Sequence, residues 1–306
     1  MKITILGAGA MGALWGGYLS QKNDVTVVDV SSKIVDTINN RGVLIKEKDG
    51  SVKTCKPKAT TDTSSMEEQD LLIVFVKSMF TISALENNKN LIGPMTYLMT
   101  LQNGAGHESK LLKFTNKEHV IIGSTQHNSS IIEPGFVNHG GTGMTSIGLL
   151  DGGSERLDEI ARNITSCGFQ CRTEENVQKQ IWQKMFTNTA ASSLTAIFQV
   201  PLGFIHDDKN ANWIMRKLCS EAVEVANGLG LGFNEEEVID DVEKVCINAP
   251  NGYTSIYADI RDGRKSEVDT ISGSVVEAAH DLGISVPYHE MLVKCIHALE
   301  GKNKEE

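Results

Sequence analysis

The sequence has no long apolar run, no excess of positive charge and few cysteines. None of its apolar runs approaches the roughly 20 residues that a membrane-spanning helix needs, so no membrane association is predicted. With 29 lysines and arginines against 39 aspartates and glutamates, the formal net charge is −10. So acidic a surface disfavours nucleic acid or an anionic membrane as the main partner, whereas a local cationic pocket for a small anionic substrate stays compatible with it.

The six cysteines are scattered, and only Cys167 and Cys171 lie close together in the chain. No histidine stands near that pair at the spacing of a zinc site, so no metal is predicted. Reduced thiols in a cytoplasmic protein are the expected state. Four histidines also lack a carboxylate or cysteine at metal-ligand spacing and are assigned no role: His127, His139, His206 and His280.

The chain of 306 residues is long enough for two domains. Residues 1–175 alternate short apolar runs with helical stretches, which predicts an α/β domain with a Rossmann-type doubly wound sheet that binds a dinucleotide. Residues 176–306 have an almost wholly helical pattern and are predicted to form an all-helical substrate and catalytic domain. The charged tail, residues 301–306, is expected to fray.

The predicted strands of the first domain are Lys2–Leu6, Asp24–Val30, Leu71–Val76, Tyr97–Leu101, Val120–Gly123, Phe136–His139, Thr145–Leu149 and Phe169–Thr173. The predicted helices of the second domain are Val177–Ala191, Ala211–Leu229, Glu235–Ala249, Tyr253–Arg261 and Thr270–Leu282. Gly283 and Pro287 are interpreted as the end of the helical pattern.

The first strand runs directly into Gly7-Ala8-Gly9-Ala10-Met11-Gly12, a G-x-G-x-x-G motif that opens a helix. Between a strand and a helix this motif is typical of dinucleotide binding, because it permits a tight turn, close approach of a pyrophosphate and close helix–strand packing. The helix N-terminus then offers unpaired N–H groups to the phosphates. We therefore assign Gly7, Gly9, Ala10, Met11 and Gly12 to cofactor binding; the alternative is a glycine turn without a ligand.

Asp29 stands near the end of the second predicted strand, about twenty residues after the first glycine. An acidic residue there binds the ribose hydroxyls of NAD and repels the additional phosphate of NADP. NAD is therefore the predicted cofactor in preference to NADP. The alternative is a strand-end aspartate that caps the chain or faces water.

Lys184, Asn188 and Ser192 recur every four residues and would share one face of a helix. Lys184 lies beside the apolar Met185 and Phe186, and partial burial there would lower its pKa toward the range of a general acid. Spacing alone favours the alternative, a surface lysine next to an amide.

Dispersed motifs over nearly the whole chain resemble the ketopantoate reductase family in order and spacing. They are Gly7–Gly12, Val76-Lys77, Leu101-Gln102-Asn103-Gly104, Trp182-x-Lys184-x-x-x-Asn188, Leu194-Thr195-Ala196, Thr254-Ser255 with Asp259-Ile260-Arg261, Glu267-Val268-Asp269 and Ile284-Ser285-Val286-Pro287.

The resemblance implies reduction of a 2-oxo acid to a D-2-hydroxy acid with a nicotinamide cofactor. By that resemblance Lys184 would protonate the keto oxygen, with Glu267 beside it tuning or relaying the proton. The remaining roles it implies are substrate binding by Asn103, Asn188, Ser192 and Ser255, and cofactor binding by Lys77 and Asn103. A homodimer is also expected by resemblance. Taken singly, Glu267, Lys77, Asn103 and Ser255 are also compatible with purely structural roles.

Two positions depart from the family's usual pattern. Ser192 stands where a second asparagine is usual, and that amide is taken to help bind the extra hydroxyl of ketopantoate. Asp29 is followed by Val30 rather than by the basic residue common in the NADPH-dependent enzymes. Together they favour an NAD-dependent enzyme for other branched or bulky 2-oxo acids, of the D-mandelate dehydrogenase type.

Three alternatives stay open from the sequence. The first is 2-dehydropantoate 2-reductase itself. The second is a β-hydroxyacid dehydrogenase, which also has a Lys-x-x-x-Asn helix but usually approaches its lysine through glycines that are missing before Lys184. The third is a regulator that senses NAD without catalysis and would not need Lys184, Asn188 and Glu267 together.

Overall fold

The computed structural model describes residues 1–302 and contains two compact units. The first unit comprises Met1–Gln102 and His107–Val177, and the second comprises Asn103–Gly106 and the chain from Gln178 onward. The first unit is a mixed α/β structure on a largely parallel sheet and the second is helical, which confirms the predicted fold class. Of the tail expected to fray, Gly301 and Lys302 are helical, and the other four residues lie outside the described part.

The strands of the first unit are β1 (Lys2–Leu6), β2 (Asp24–Val28), β3 (Val43–Lys46), β4 (Val52–Cys55), β5 (Lys58–Thr60), β6 (Leu71–Val74), β7 (Tyr97–Thr100), β8 (Val120–Thr125), β9 (Asn128–Glu133), β10 (Phe136–Gly141), β11 (Met144–Leu149) and β12 (Gln170–Thr173). Its helices are α1 (Ala10–Leu19), α2 (Ser32–Arg41), α3 (Thr81–Asn87), α4 (Glu108–Leu111) and α5 (Glu155–Ser166).

The main sheet has eight strands in the order β12-β11-β8-β7-β6-β1-β2-β5. From β5 to β8 all pairs are parallel, and by their sequence within this sheet they follow the order 3-2-1-4-5-6 of a dinucleotide-binding fold. β11 is antiparallel to β8, and β12 extends the edge. The strand order reverses between β1 and β6, and ligands bind such sheets outside the carboxyl ends of the strands at that point.

The interior of the first unit is made by strands buried on both faces, as their unbroken apolar sequences predict. Every residue of β6 and β7 is buried. Helix α1 covers the sheet with Trp15, whose ring stacks on Phe169 at a centroid distance of 4.3 Å. This rigid packing holds the glycine turn between β1 and α1 in place.

A second sheet of four strands, in the order β4-β3-β10-β9, was not predicted. Its outer strands β4 and β9 are mostly exposed, so their sequences lack the apolar runs that mark the main sheet. The histidines His127 and His139, assigned no role from sequence, form a row of hydrogen bonds with Glu47 at this sheet. His139 Nδ1 is 2.9 Å from Glu47 Oε2, and its Nε2 is 2.9 Å from His127 Nδ1. Tyr18 of α1 donates to Glu47, which ties the second sheet to α1.

The second unit consists of α6 (Val177–Thr187), a π-helical turn (Asn188–Ser192), α7 (Ser193–Phe198), α8 (Leu202–Asp207), α9 (Lys209–Gly228), α10 (Glu235–Asn248), α11 (Ser255–Arg261), α12 (Ser272–Leu282) and α13 (Pro287–Lys302). Its core includes Trp182, Met185 and Phe186 from α6. Within residues 1–302 no helix has the length and apolar character needed to cross a membrane.

Helices α7, α8 and α13 of the second unit were not predicted from the sequence, and two further features differ from the prediction. The predicted helix Val177–Ala191 changes to π geometry at Asn188, and Pro287, interpreted as an end signal, instead begins the final helix. Proline suits the first turn of a helix, where its missing N–H would have no partner in any case.

Candidate active site

The glycine turn of the first unit lies at the point where the strand order reverses. Gly7 has a φ of +99°, and a Cβ at Gly12 would lie 1.8 Å from the Gly7 carbonyl oxygen. No residue with a side chain fits so close to a backbone oxygen. The turn is therefore drawn tightly against the start of α1.

Gly9, by contrast, is bounded by open space. A Cβ at Gly9 would meet no atom within 4 Å in the part of the chain that the structure describes. Gly9 is also the N-cap of α1, and no side chain in residues 1–302 caps the helix there. Open space beside an uncapped helix N-terminus suits an anionic phosphate, so the residues present fit a dinucleotide. Ala10 and Met11, the first residues of α1, are both half-buried.

Asp29 follows β2 and is half-buried. Its Oδ2 accepts a hydrogen bond of 2.8 Å from the Ala8 backbone N–H, and its Oδ1 accepts one of 2.9 Å from Ser31. The carboxylate is therefore fixed against the glycine turn. The next residue, Val30, is 97% exposed.

Lys77 lies three residues beyond the end of β6, half-buried, at the start of a short 3-10 turn. The loop that carries it is held by Gln102, whose Nε2 donates to the Val76 carbonyl at 2.6 Å and to Thr81 Oγ1 at 3.0 Å. The sequence prediction gave Gln102 no role. Its position directly before Asn103, just past a strand, is the signal that could have identified it.

In the second unit, Lys184 is half-buried on α6, and its Nζ donates a hydrogen bond of 3.0 Å to Asn103 Oδ1. Buried Trp182, Met185 and Phe186 surround it in the chain and anchor the helix. The structure thus brings together two residues that are 81 positions apart.

Burial lowers the pKa of Lys184 to about 8, and the negative charge of Glu267 opposes that shift. Desolvation disfavours the ammonium form, while the carboxylate favours it. An amine with a pKa near 8 is mostly protonated at neutral pH and can still release its proton, which is the condition for a general acid.

Asn103 reaches Lys184 because residues 103–106 are docked on the chain at Thr270. Gly104 has a φ of +101°, and a Cβ there would lie 1.8 Å from the Thr270 carbonyl oxygen. The Ala105 N–H donates to the same oxygen at 3.2 Å. The sequence suggested only a turn at Gly104; the close approach to Thr270 depends on a contact between distant segments and has no local signal.

Glu267 is half-buried in a segment that α13 holds at two points. Ser266 donates from its backbone N–H and its Oγ to Glu300 Oε1, at 2.8 and 2.7 Å. His297 Nε2 lies 2.8 Å from Asp269 Oδ1. Because α13 was not predicted, neither Ser266 nor His297 could be connected with Glu267 from the sequence.

The other three predicted residues lie along the π-helical turn and at α11. Asn188 is half-buried at the first position of the turn, Ser192 is buried at its last position, and Ser255 is exposed at the start of α11. The hydroxyl of Thr254, directly before Ser255, lies 3.2 Å from the Ser192 carbonyl oxygen. Within residues 1–302 the side chains of Asn188 and Ser255 form no hydrogen bond with the protein.

The predicted site residues therefore form two groups. The second unit contains Lys184, Asn103, Glu267, Asn188, Ser192 and Ser255, and the first contains the glycine turn, Asp29 and Lys77. Among residues 1–302 there is no group of three or more histidine, cysteine, aspartate or glutamate side chains placed to hold a metal ion. The chemistry available in the second unit is that of one amine, one carboxylate and neutral hydrogen-bonding groups.

Comparison with known proteins gives this arrangement a family. The family model described as ketopantoate reductase PanE/ApbA matches residues 3–152, and its C-terminal counterpart matches residues 176–300. The chain belongs to the ketopantoate reductase family. It is accordingly an oxidoreductase, and the family match confirms the resemblance found in the motifs.

Relatives match this chain over almost its full length. A 2-dehydropantoate 2-reductase from Pyrococcus horikoshii is 32% identical over 312 residues, covering 99% of this chain and all of the relative. One from Halobacterium salinarum is 29% identical and covers 94% of this chain and 95% of its own. The ternary structure of D-mandelate dehydrogenase with NADH and anilino(oxo)acetate is 28% identical, with a TM-score of 0.93 and 99% coverage of both chains.

Proposed function

We propose that this protein is an NAD-dependent oxidoreductase that interconverts a branched or bulky 2-oxo acid and its D-2-hydroxy acid. The observation that carries the proposal is Lys184: a half-buried amine with a pKa of about 8, 3.0 Å from Asn103 Oδ1 and within the field of Glu267. A positive group of that acidity is what a carbonyl oxygen needs when it becomes an alkoxide.

The proposed reduction needs a hydride at C2 of the substrate, which a nicotinamide cofactor held by the glycine turn, Asp29 and Lys77 would supply. The Lys184 ammonium donates a hydrogen bond to the keto oxygen and then its proton, so that the hydroxyl forms without a free alkoxide. Glu267 keeps the amine protonated before the reaction and favours its reprotonation from solvent afterwards. Asn103, fixed by the docking of residues 103–106 on Thr270, orients the Lys184 amine.

Asn188, Ser192 and Ser255 are proposed to bind the substrate's remaining polar groups. The support is that the side chains of Asn188 and Ser255 have no partner within residues 1–302 and lie on helices linked through Thr254. Both side chains can donate hydrogen bonds to a carboxylate. No arginine is assigned to the substrate, so its carboxylate would be bound by neutral donors and by the nearby ammonium.

The proposed cofactor site is the glycine turn with Ala10 and Met11, together with Asp29, Lys77 and Asn103. Its support is the open space at Gly9 and the uncapped start of α1. NAD is preferred in this proposal for two reasons. Asp29 holds a fixed negative charge at the end of β2, and a similar protein, D-mandelate dehydrogenase, has a structure with NADH.

The preference for a bulky substrate rests on Ser192 and on the same relative. The compound in that D-mandelate dehydrogenase structure, anilino(oxo)acetate, combines a 2-oxo acid with an aromatic group. A specific observation also favours a second candidate, 2-dehydropantoate 2-reductase, because several curated relatives have that name, one of them 32% identical over 99% of this chain. The family match argues against the β-hydroxyacid dehydrogenase alternative.

A substrate panel tests the proposal. Purified protein is mixed with NADH or NADPH and with ketopantoate, 2-oxoisovalerate, 2-oxoisocaproate or phenylglyoxylate, and cofactor absorbance is followed. We expect NADH oxidation with the bulky acids at a kcat/KM about tenfold or more above that for ketopantoate, the size of effect expected from one polar contact. Ser192→Asn should reduce the ratio of kcat/KM for the bulky acids to kcat/KM for ketopantoate, because it restores the side-chain amide that is usual in the family at this position.

Faster turnover of ketopantoate with NADPH would assign the protein to the second candidate and contradict the interpretation of Asp29 and Ser192. Absence of turnover with every acid and both cofactors would reject both candidates. The homodimer and the cytoplasmic location expected from the sequence stay predictions.

A further inference from the structure

Two threonines in the family-like motifs, Thr195 and Thr254, have no part in the reaction described above. Thr195 is fully buried on α7, and Thr254 is the N-cap of α11, accepting from the Tyr257 N–H. Their hydroxyl oxygens lie 2.8 Å apart, although the residues are 59 positions apart in the chain. Both hydroxyls also reach the Ser192 carbonyl oxygen, Thr195 at 2.8 Å and Thr254 at 3.2 Å.

Hydroxyl chemistry restricts how this triangle is bonded, because each hydroxyl has one proton. Either Thr195 donates to the Ser192 carbonyl and Thr254 donates to Thr195, or the two threonines exchange these parts. In both arrangements one hydroxyl donates to the Ser192 carbonyl and accepts a hydrogen bond from the other hydroxyl. The end of the π-helical turn is thus bonded to the start of α11 whichever proton arrangement is present.

The π-helical turn is a segment that needs such support. A π turn is an uncommon geometry that occurs at functional sites and disturbs the regular backbone ladder. Two further hydroxyl bonds lie at the beginning of the turn. Thr189 Oγ1, within the turn, donates to the Phe186 carbonyl of α6 at 3.2 Å, and Ser272 Oγ donates to the Thr189 carbonyl at 3.5 Å. Side-chain hydroxyls that bond to helix carbonyls often bend a helix.

We propose that Thr254, together with Thr195, is a positioning residue for substrate binding. It fixes the π-helical turn that carries Asn188 relative to the helix start that carries Ser255, so that both side chains hold one substrate. This inference rests on the proposed function of Asn188 and Ser255. Neither threonine is assigned a contact with the reacting atoms. Removing either hydroxyl should therefore weaken substrate binding more than it slows the chemical step.

The test uses the full-length protein and four variants. Thr254→Val removes the hydroxyl at nearly constant volume and Thr254→Ser retains it. Thr195→Val removes the second hydroxyl and so weakens the link, which Thr254 can still make to the Ser192 carbonyl, and it leaves the α11 cap. Thr145→Val is the matched control, since Thr145 is fully buried and its hydroxyl pairs with that of Thr125 at 2.9 Å in the first unit.

We expect Thr254→Val to raise KM for the preferred 2-oxo acid about tenfold, with kcat within about threefold and KM for NADH unchanged. Thr195→Val should shift KM in the same direction, Thr254→Ser should restore it, and Thr145→Val should leave it unchanged. Loss of thermal stability in Thr254→Val with an unaltered KM would reduce Thr254 to a helix cap and overturn the proposal.

Amide hydrogen exchange separates this proposal from the proposed function. In Thr254→Val, faster exchange should extend from 254–257 into the π-helical turn at 188–192, and in Thr145→Val it should not. Faster exchange confined to 254–257 would overturn the positioning role, even in a protein that reduces 2-oxo acids. If no acid were turned over, the proposed function would fail, and exchange alone would decide whether the two segments are coupled.

Discussion

At the scale of single residues, Asp29 combines a structural contact with selection of the cofactor. Its two carboxylate oxygens accept hydrogen bonds from Ala8 in the glycine turn and from Ser31 at the start of α2. A carboxylate held by two backbone donors is fixed in position. The same group that fixes the turn therefore also presents a negative charge at the end of β2.

This double role leads to different expectations for two substitutions. Asp29→Asn keeps an acceptor oxygen and removes the charge, so the ratio of kcat/KM with NADPH to that with NADH should rise about tenfold or more. Asp29→Ala loses both hydrogen bonds and should weaken the use of both cofactors. The control is Asp24→Asn, at the opposite end of the same strand and paired with Lys58. An unchanged ratio in Asp29→Asn would show that Asp29 does not select the cofactor.

Residue patterns predicted the candidate site residues more completely than the residues that hold them in position. Lys184, Asn188 and Glu267 were predicted from motifs, and in the structure Lys184 lies beside Asn103 and has a lowered pKa. Gln102, Ser266 and Thr270 were missed because they act through contacts between segments distant in sequence. Residue type and local spacing carry no information on such contacts.

At the scale of elements, Gly104 determines whether residues 103–106 can dock beside α6. Both Gly104 and Gly106 have positive φ, but only a Cβ at Gly104 would collide with the backbone, at Thr270, whereas Gly106 faces open space within residues 1–302. Comparing alanine substitutions at the two glycines therefore separates the effect of backbone strain, which both would have, from the effect of the collision with Thr270.

Gly104→Ala should displace residues 103–106 and draw Asn103 away from Lys184. We expect kcat/KM to fall about tenfold or more, because misplacement of a group near the reacting centre is costly. Gly106→Ala should lower the free energy of unfolding by only about 1 kcal/mol from the strain of its positive φ, with activity retained. Steady-state kinetics and thermal melts measure both; equal activity in the two variants would contradict the docking argument.

The main sheet could be predicted because each of its central strands is a buried apolar run followed by turn residues, as in Leu71–Val74 and Tyr97–Thr100. The second sheet could not, because β3 pairs with β10, some ninety residues later, and the edge strands are exposed. The π-helical turn at Asn188 has no sequence signal distinct from an α-helix, and its geometry depends on hydroxyls from other segments.

At the scale of the whole molecule, the two units are proposed to supply different parts of one reaction. The first offers the phosphate-binding turn and Asp29, and the second offers the amine of Lys184 with Asn103 and Glu267. Substitutions can then affect NADH binding and proton donation separately, because Asn103 is the one residue assigned both to the cofactor and to the substrate.

The central claim is that Lys184 protonates the substrate. The pH dependence of kcat/KM for 2-oxo acid reduction, in the wild type and in Lys184→Met, tests it most directly. Reduction needs the ammonium form, so wild-type kcat/KM should be level below pH 8 and fall as pH rises through the Lys184 pKa of about 8. Lys184→Met should lower the plateau about 10²- to 10⁴-fold and lose that descending limb, with NADH affinity, measured by fluorescence, unchanged. A methionine variant that keeps activity within about threefold of the wild type, or that retains the limb near pH 8, would contradict the account.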